Sequence, residues 1–326
     1  MIRNAMLVGL LGLGWGLNWP AVRLALDEIQ PWTLRSVGFA AATVLMFGAM
    51  AATGMSPAVP RRMWVRLLGI GVLPIVGYNL LSAFAQVSAS TSRSAVLSYT
   101  MPIWTVIFAR IVLGERLDRR RITGLGLGGA GLVALGWPVI QAGEFSVGLV
   151  YALLSGVVWA AGSILLKRYP IPVPRLVLTS WQMAFGAVLT TIGMLAFEGL
   201  PQELPRLATT WFGLGYNIIV GQALATTLWF VILGRMPAGI ASVGSLLVPG
   251  IGVIGATLIL GERPTATDWI GLALIVAASA TVLLRGDPPR AAPRNGAAPS
   301  PEDDGPSETE RSPGQAILAA PNRPRP

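Results

Sequence analysis

The sequence predicts an all-α integral membrane fold, ten transmembrane helices arranged as two inverted five-helix repeats. Three observations carry this: the apolarity of the chain, the rhythm of its apolar stretches, and a motif that returns once. The chain is 53% hydrophobic and 12% charged, with a mean hydropathy of +0.63. Soluble domains carry about 25% charged residues. The surplus apolar surface needs lipid as its solvent.

Ten apolar stretches recur between polar breaks. The first, 6–26, follows Arg3 as a signal peptide would. It runs on to Arg23 without a small-x-small cleavage site, so it reads as an uncleaved helix. The second, third and fourth occupy 32–52, 65–85 and 94–113, and the fifth 123–140. The sixth to tenth occupy 147–166, 176–197, 211–233, 238–260 and 269–284. At 1.5 Å rise, a stretch of about 20 residues spans a hydrocarbon core of about 30 Å. The fifth and tenth are the shortest. Glycines and prolines inside these stretches, such as Gly14, Gly16, Pro20, Pro74, Pro102 and Pro249, are tolerated where neighbouring helices satisfy the freed backbone groups. They read either as close packing or as hinges.

Beyond residue 285 the composition turns to Pro, Ala, Gly, Asp and Glu. Residues 286–326 cannot bury enough apolar surface to offset their ordering entropy, and read as a disordered cytoplasmic tail. Basic residues gather at Arg61, Arg62 and Arg66, at Arg116, Arg119, Arg120 and Arg121, and at Lys167, Arg168 and Arg175. The intervening connections hold single arginines. The positive-inside rule then places both termini in the cytoplasm. The preference for Arg over Lys and the high Ala, Gly and Pro content fit a GC-rich bacterium, hence a bacterial inner membrane.

Residues 95–136 align with 242–283 at one constant offset. Ser98 matches Ser245, Pro102 matches Pro249, and Leu113-Gly114-Glu115-Arg116 matches Leu260-Gly261-Glu262-Arg263. An odd number of helices per copy forces the copies to face opposite ways across the membrane. The flanking charge agrees: an arginine cluster follows Glu115, and none follows Glu262. The domain reading is a first repeat over 1–141, a second over 142–285, and the tail.

The sequence here resembles the drug/metabolite transporter superfamily, specifically its ten-helix EamA-type exporters, over about residues 5–285. The first half carries Trp15-Gly16 with Asn18, Pro31, Leu34-Arg35, Ala95, Pro102, Leu113-Gly114-Glu115-Arg116-Leu117 and Gly124. The second carries Trp159-Ala160, Trp181-Gln182, Pro249, Gly261-Glu262 and Gly271. Each piece alone is weak, and their order across two halves is specific. The resemblance implies a cavity lined by helices one to four and six to nine, with five and ten as outer supports. It implies a secondary transporter, an exporter of an amino-acid-like or drug-like metabolite working by alternating access. The alternative is a non-transporting sensor or scaffold that keeps the fold. Arg35 departs from the two-fold pattern, since its counterpart falls at Thr179 to Trp181.

Other chemistry finds little support. There is no cysteine and no histidine, which excludes Cys/His metal sites, His bases and Cys nucleophiles. No helix centre holds Asp, Glu or Lys, so no catalytic residue, metal or cofactor is expected, and the chain does not read as an enzyme. The run Gly126-Leu-Gly128-Gly129-Ala-Gly131 fits a dinucleotide fingerprint but lies inside an apolar stretch with no preceding strand. No P-loop occurs. The net charge of +9 lies between membrane stretches rather than in a basic domain, so nucleic acid is not a partner. The expected partners are a small-molecule substrate and the lipid bilayer. A homodimer is left open.

Candidate cavity residues are Trp15, Asn18, Asn79, Tyr99, Trp159, Ser163, Gln182, Gln222 and Ser245, with Ser98, Asn217, Thr226, Trp104, Trp181 and Trp229 beside them. Polar groups facing lipid would go unsatisfied, so these should turn inward, either bonding neighbouring helices or lining a cavity. Arg35, Pro102, Gly114, Glu115, Pro249, Gly261 and Glu262 form the motif set. Glu115 and Glu262, at helix ends, read as caps of a neighbouring helix or partners for Arg, with proton coupling as the rival. Arg35 and Arg23 read as boundary residues that snorkel, with capture of a substrate carboxylate as the rival for Arg35. Asp27 and Glu28 read as solvated loop residues.

Overall fold

A backbone in hydrocarbon must satisfy its own polar groups, and a helix does so within one segment. The computed structural model describes residues 2–114, 117, 119–142, 146–225, 228 and 238–283, and every element among them is helical. The tail, Glu115, Arg116, Thr226 and Trp229 lie outside the described residues.

The first stretch folds as α1 (Ile2–Gly16) and α2 (Asn18–Ala25), and the second as α3 (Pro31–Ala52). The third runs from Arg61 through a π segment, Leu67–Val72, into α4 (Leu73–Ser88). The fourth divides into α5 (Thr91–Ser98) and α6 (Met101–Leu113). Then come α7 (Arg119–Ala142), α8 (Val147–Arg168), and α9 (Arg175–Gly193) continued by a π segment, Met194–Glu198. The eighth stretch begins as α10 (Ala208–Tyr216) and widens into a π segment, Asn217–Leu224. The last elements are α11 (Ala238–Leu260) and α12 (Ala266–Leu283). Among the described residues, five helical runs are long and apolar enough to cross a membrane: Pro31–Ala52, Arg61–Ser88, Thr91–Leu113, Val147–Arg168 and Arg175–Glu198. Shorter apolar helices span Ile122–Leu135, Val248–Leu260 and Ala266–Ala278.

Prolines explain several irregularities. A proline lacks the N–H of the helical ladder and crowds the carbonyl four residues back. The break at Leu17 precedes Pro20, the break at Tyr99 and Thr100 precedes Pro102, and the first π segment ends just before Pro74. The two motif prolines differ: Pro102 opens α6, whereas Pro249 lies inside the unbroken α11. The motif glycines agree. Gly114 (φ 68°) and Gly261 (φ 69°) each end their helix in the left-handed region, where a side chain would strain the backbone.

Helix pairing has an internal regularity. α7 packs on α12, and α3 on α9. α4 lies against α8 as α10 lies against α2. α5 and α6 lie against α8 as α11 lies against α1 and α2, and α5 meets α11. Exchanging each stretch with the one five places along maps this set of pairs onto itself. Small residues permit the approach: Gly162 of α8 sits directly on the Pro74 ring of α4. Outward, large aliphatic side chains such as Val44, Ile111, Val188 and Leu258 are more than half exposed, a surface that water would penalise and lipid accepts.

Candidate functional site

Three carboxylates tie the end of one helix to the start of another, and frame the interior. An α-helix leaves its first N–H groups without partners, and a carboxylate there satisfies them and meets the positive end of the dipole. Glu262, just after α11, accepts from the N–H groups of Thr91 (2.6 Å) and Ser92 (2.9 Å) and from the Ser92 hydroxyl (2.6 Å), at the start of α5. Glu198, at the end of the π segment after α9, accepts from the N–H of Trp32 (2.8 Å) and from the N–H and hydroxyl of Thr33 (2.7 and 2.8 Å), at the start of α3. Glu28, after α2, accepts from the N–H groups of Arg206 (3.0 Å) and Leu207 (2.9 Å), ahead of α10. The Thr210 hydroxyl and the Leu207 and Arg206 N–H groups hold the Glu28 carboxyl below its ordinary value of 4.5. Both acids are exposed, as solvated loop residues would be, and each also has a partner: Glu28 is a cap, and Asp27 pairs with Arg23 at 2.7 Å. At the same end, Arg93 of α5 pairs with Asp268 of α12 at 2.7 Å.

Inside this frame the polar side chains form two groups. The first joins α1, α2 and the π segment after α10. Asn217 donates to the Asn18 side-chain oxygen (3.0 Å), and Gln222 donates to the Asn217 oxygen (3.1 Å). Trp15 donates its indole N–H to the Gly221 carbonyl at 3.1 Å. Gly221 lacks a Cβ where the Asn18 amide lies, which lets the two helices close. The second group joins α3, α4 and α9. Arg35 is 2% exposed; its Nε donates to the Asn79 carbonyl (2.9 Å) and its Nη2 to the Ser82 hydroxyl (3.4 Å). Arg35 thus does not snorkel; near the start of α3, it lies between packed helices. The Asn79 amide turns back to Ile75 O at 2.9 Å. Gln182 of α9 donates to Gly71 O at 2.6 Å, within the first π segment. Two π segments, in the third and eighth stretches, thus each receive a side-chain donor from another helix on a glycine carbonyl. π bulges recur at functional sites because they expose such carbonyls.

Aromatic rings lie beside these groups. Tyr78 meets Trp159 edge to face at 5.1 Å, and Tyr99 and Trp15 pack around Trp19 and Val248. Ser98 and Ser155 bond at 2.7 Å, joining α5 to α8. Other expected residues fall elsewhere. Ser163 is exposed and donates back to Trp159 O at 2.8 Å. Trp181 packs with Phe47, Trp64 and Phe185 and donates to Pro57 O at 2.8 Å. Ser245 lies in α11 and Pro102 in α6, their side chains outside the described set. Pro249 is buried. Sequence reasoning missed Glu198, Tyr78 and Ser82 and gave Glu28 no capping role; all four sit outside the repeated motif. Among the described residues no group of His, Cys, Asp or Glu could hold a metal.

The model of the EamA-like transporter family matches this chain twice, over residues 3–137 and 146–284. The chain belongs to the EamA-like transporter family. Among relatives of this EamA-like chain, the inner membrane transporter YedA of Escherichia coli strain K12 is 25% identical over 83% of this chain and 87% of its own length. A probable amino-acid metabolite efflux pump of Salmonella typhimurium strain LT2 is 26% identical over 84% of this chain and 93% of its own. The transporter YoaV of Bacillus subtilis strain 168 is 21% identical over 80% and 90%. One solved structure, described only as a crystal structure of a protein, shares the fold with a TM-score of 0.60 at 24% identity, over 85% of this chain and 96% of that one. The EamA-like chain is a multi-pass membrane protein of the transporter type, built from two family repeats.

Proposed function

We propose that this EamA-like protein is a secondary transporter of the bacterial inner membrane that exports a small, amino-acid-like metabolite by alternating access. Its ten spans would form two inverted halves with both termini cytoplasmic. The observation that carries the reading is the exchange regularity of the helix pairs in a chain that matches the family model twice. Two halves related in this way can rock about a shared site. The carboxylate caps support alternate crossing: Glu28, Glu198 and Glu262 join ends of odd-numbered stretches to starts of even-numbered ones, which meet on one face of such a topology. The amide, indole and tyrosine groups around the two π segments supply oriented donors and aromatic walls of the kind a metabolite site uses. The relative named as an amino-acid metabolite efflux pump supports the substrate class.

The direct test is counterflow of an amino-acid and metabolite panel in proteoliposomes. Flux of a panel member supports the reading, and no flux of any member refutes it. Metabolite profiles of a deletion strain against an overexpressing strain test direction: an exported substrate accumulates inside the deletion strain. Reporter fusions after Arg121 and after Asp268 test the inversion, and landing on one face would refute it.

A further inference from the structure

We propose that Arg35 is the anion-binding group of the transport site, and that the substrate class is therefore a carboxylate. This rests on the transporter reading above. A guanidinium stays charged at any physiological pH. A charge costs about 2.5–3.5 kcal/mol at the centre of a membrane helix on insertion scales and less toward its ends. Arg35, the fifth residue of α3, bears instead the cost of burial between packed helices. Such a group is kept where it has a partner or a task. Arg35 is 2% exposed, and its protein contacts are two neutral oxygens, the Asn79 carbonyl and the Ser82 hydroxyl. They orient the side chain without compensating its charge. No ion pair joins it to an acid among the described residues, and its Nη1 has no hydrogen-bond partner.

The pattern of contacts matters. Nε is committed to a carbonyl at 2.9 Å, whereas Nη2 makes only a long contact of 3.4 Å and Nη1 makes none. The end of the fork is the edge that carboxylates engage with two parallel bonds. One turn beyond Ser82 on α4, Gln86 bonds the Ser82 carbonyl with its amide and leaves its own oxygen buried and unpartnered. That oxygen is an acceptor suited to an ammonium group. An α-amino acid presents both charges on one carbon. Tyr78 neighbours Asn79 in sequence and stacks edge to face on Trp159, which puts aromatic surface close to this polar corner. The second half has no arginine at the matching position, so the duplication does not supply a second copy of this group. The guanidinium is enclosed in this conformation. The anion reaches it when the covering helices move, as alternating access requires.

The experiment uses the purified full chain and two matched probe panels, the twenty amino acids and their α-amides. Thermal stabilisation reports binding, and counterflow in proteoliposomes reports transport. The expected result is that at least one acid stabilises the protein while its amide does so at least tenfold more weakly. Arg35→Gln should abolish that preference, and Arg35→Lys should retain part of it. Arg110→Gln, an exposed arginine of α6, should leave it intact. If acids and amides act equally, if no acid stabilises the protein, or if Arg35→Gln keeps the preference, Arg35 is not the anion site. Flux that persists under those outcomes leaves the transporter reading standing; absence of flux for both panels removes that reading instead. Folding of Arg35→Gln is checked by its elution profile, and the charge-keeping Arg35→Lys decides the matter if it does not fold.

Discussion

Removing the Glu262 carboxylate tests the idea that helix starts in this protein are closed by acids from distant helices. In the wild type that group accepts three hydrogen bonds at 2.6–2.9 Å, two of them from backbone N–H groups that α5 cannot satisfy itself. Bonds to a charged acceptor are worth about 1.5–3 kcal/mol each when buried. Glu262 is only half-buried, so water recovers part of the loss, and the cost falls near that of a missing N-cap, about 0.5–2 kcal/mol. Adding the lost dipole interaction, we expect Glu262→Ala to destabilise the protein by about 2 kcal/mol, and Glu262→Gln by about 1 kcal/mol. The assay is equilibrium unfolding by SDS in mixed micelles. A control is Glu203→Ala, whose partner Arg206 shares a mostly exposed pair worth under about 1 kcal/mol. If Glu262→Ala costs no more than Glu203→Ala, the capping argument fails.

Other outcomes follow from the same reasoning. Gly162→Ala drives a methyl group into the Pro74 ring and should cost about 1–3 kcal/mol by overpacking, whereas Gly129→Ala meets nothing and should be neutral or better; thermal unfolding of both checks this. Gln182→Leu strands the Gly71 carbonyl and should cost about 1–3 kcal/mol, with faster amide exchange over Leu67–Val72. The Glu28 carboxyl titrates below its ordinary 4.5 in the folded state, so its contribution is present above that pH and lost as pH falls through the folded value. The stability gap between wild type and Glu28→Gln should thus be widest at neutral pH and shrink below 4.5. A gap that widens in acid would overturn the assignment.

Much of the fold was legible because lipid imposes a simple rule: an apolar run of membrane length must be a helix. The ninth apolar stretch, 238–260, coincides with α11, Ala238–Leu260. The second Leu-Gly-Glu-Arg was legible too, since Gly261 ends a helix and Glu262 caps another, which needs those residue types in that order. The glutamates outside the motif were not. Glu28 and Glu198 look like loop acids until the helices they cap, at Arg206 and Trp32, are brought alongside. The polar set was legible only as a set. Asn18, Gln182 and Arg35 each carry the same bland alternative in sequence, and their partners lie far along the chain or across a helix.

Hydropathy, repeat and charge distribution determine from sequence alone that this chain is a duplicated helical membrane protein, because those properties are summed over segments and survive without coordinates. The tertiary structure decided which polar groups meet: that Asn217 bridges Asn18 to Gln222, that π turns offer Gly71 and Gly221 carbonyls to other helices, and that Arg35 is enclosed with no acid paired to it among the described residues. A hydrogen bond is set by ångströms between residues distant in the chain, and that distance is fixed only when helices pack.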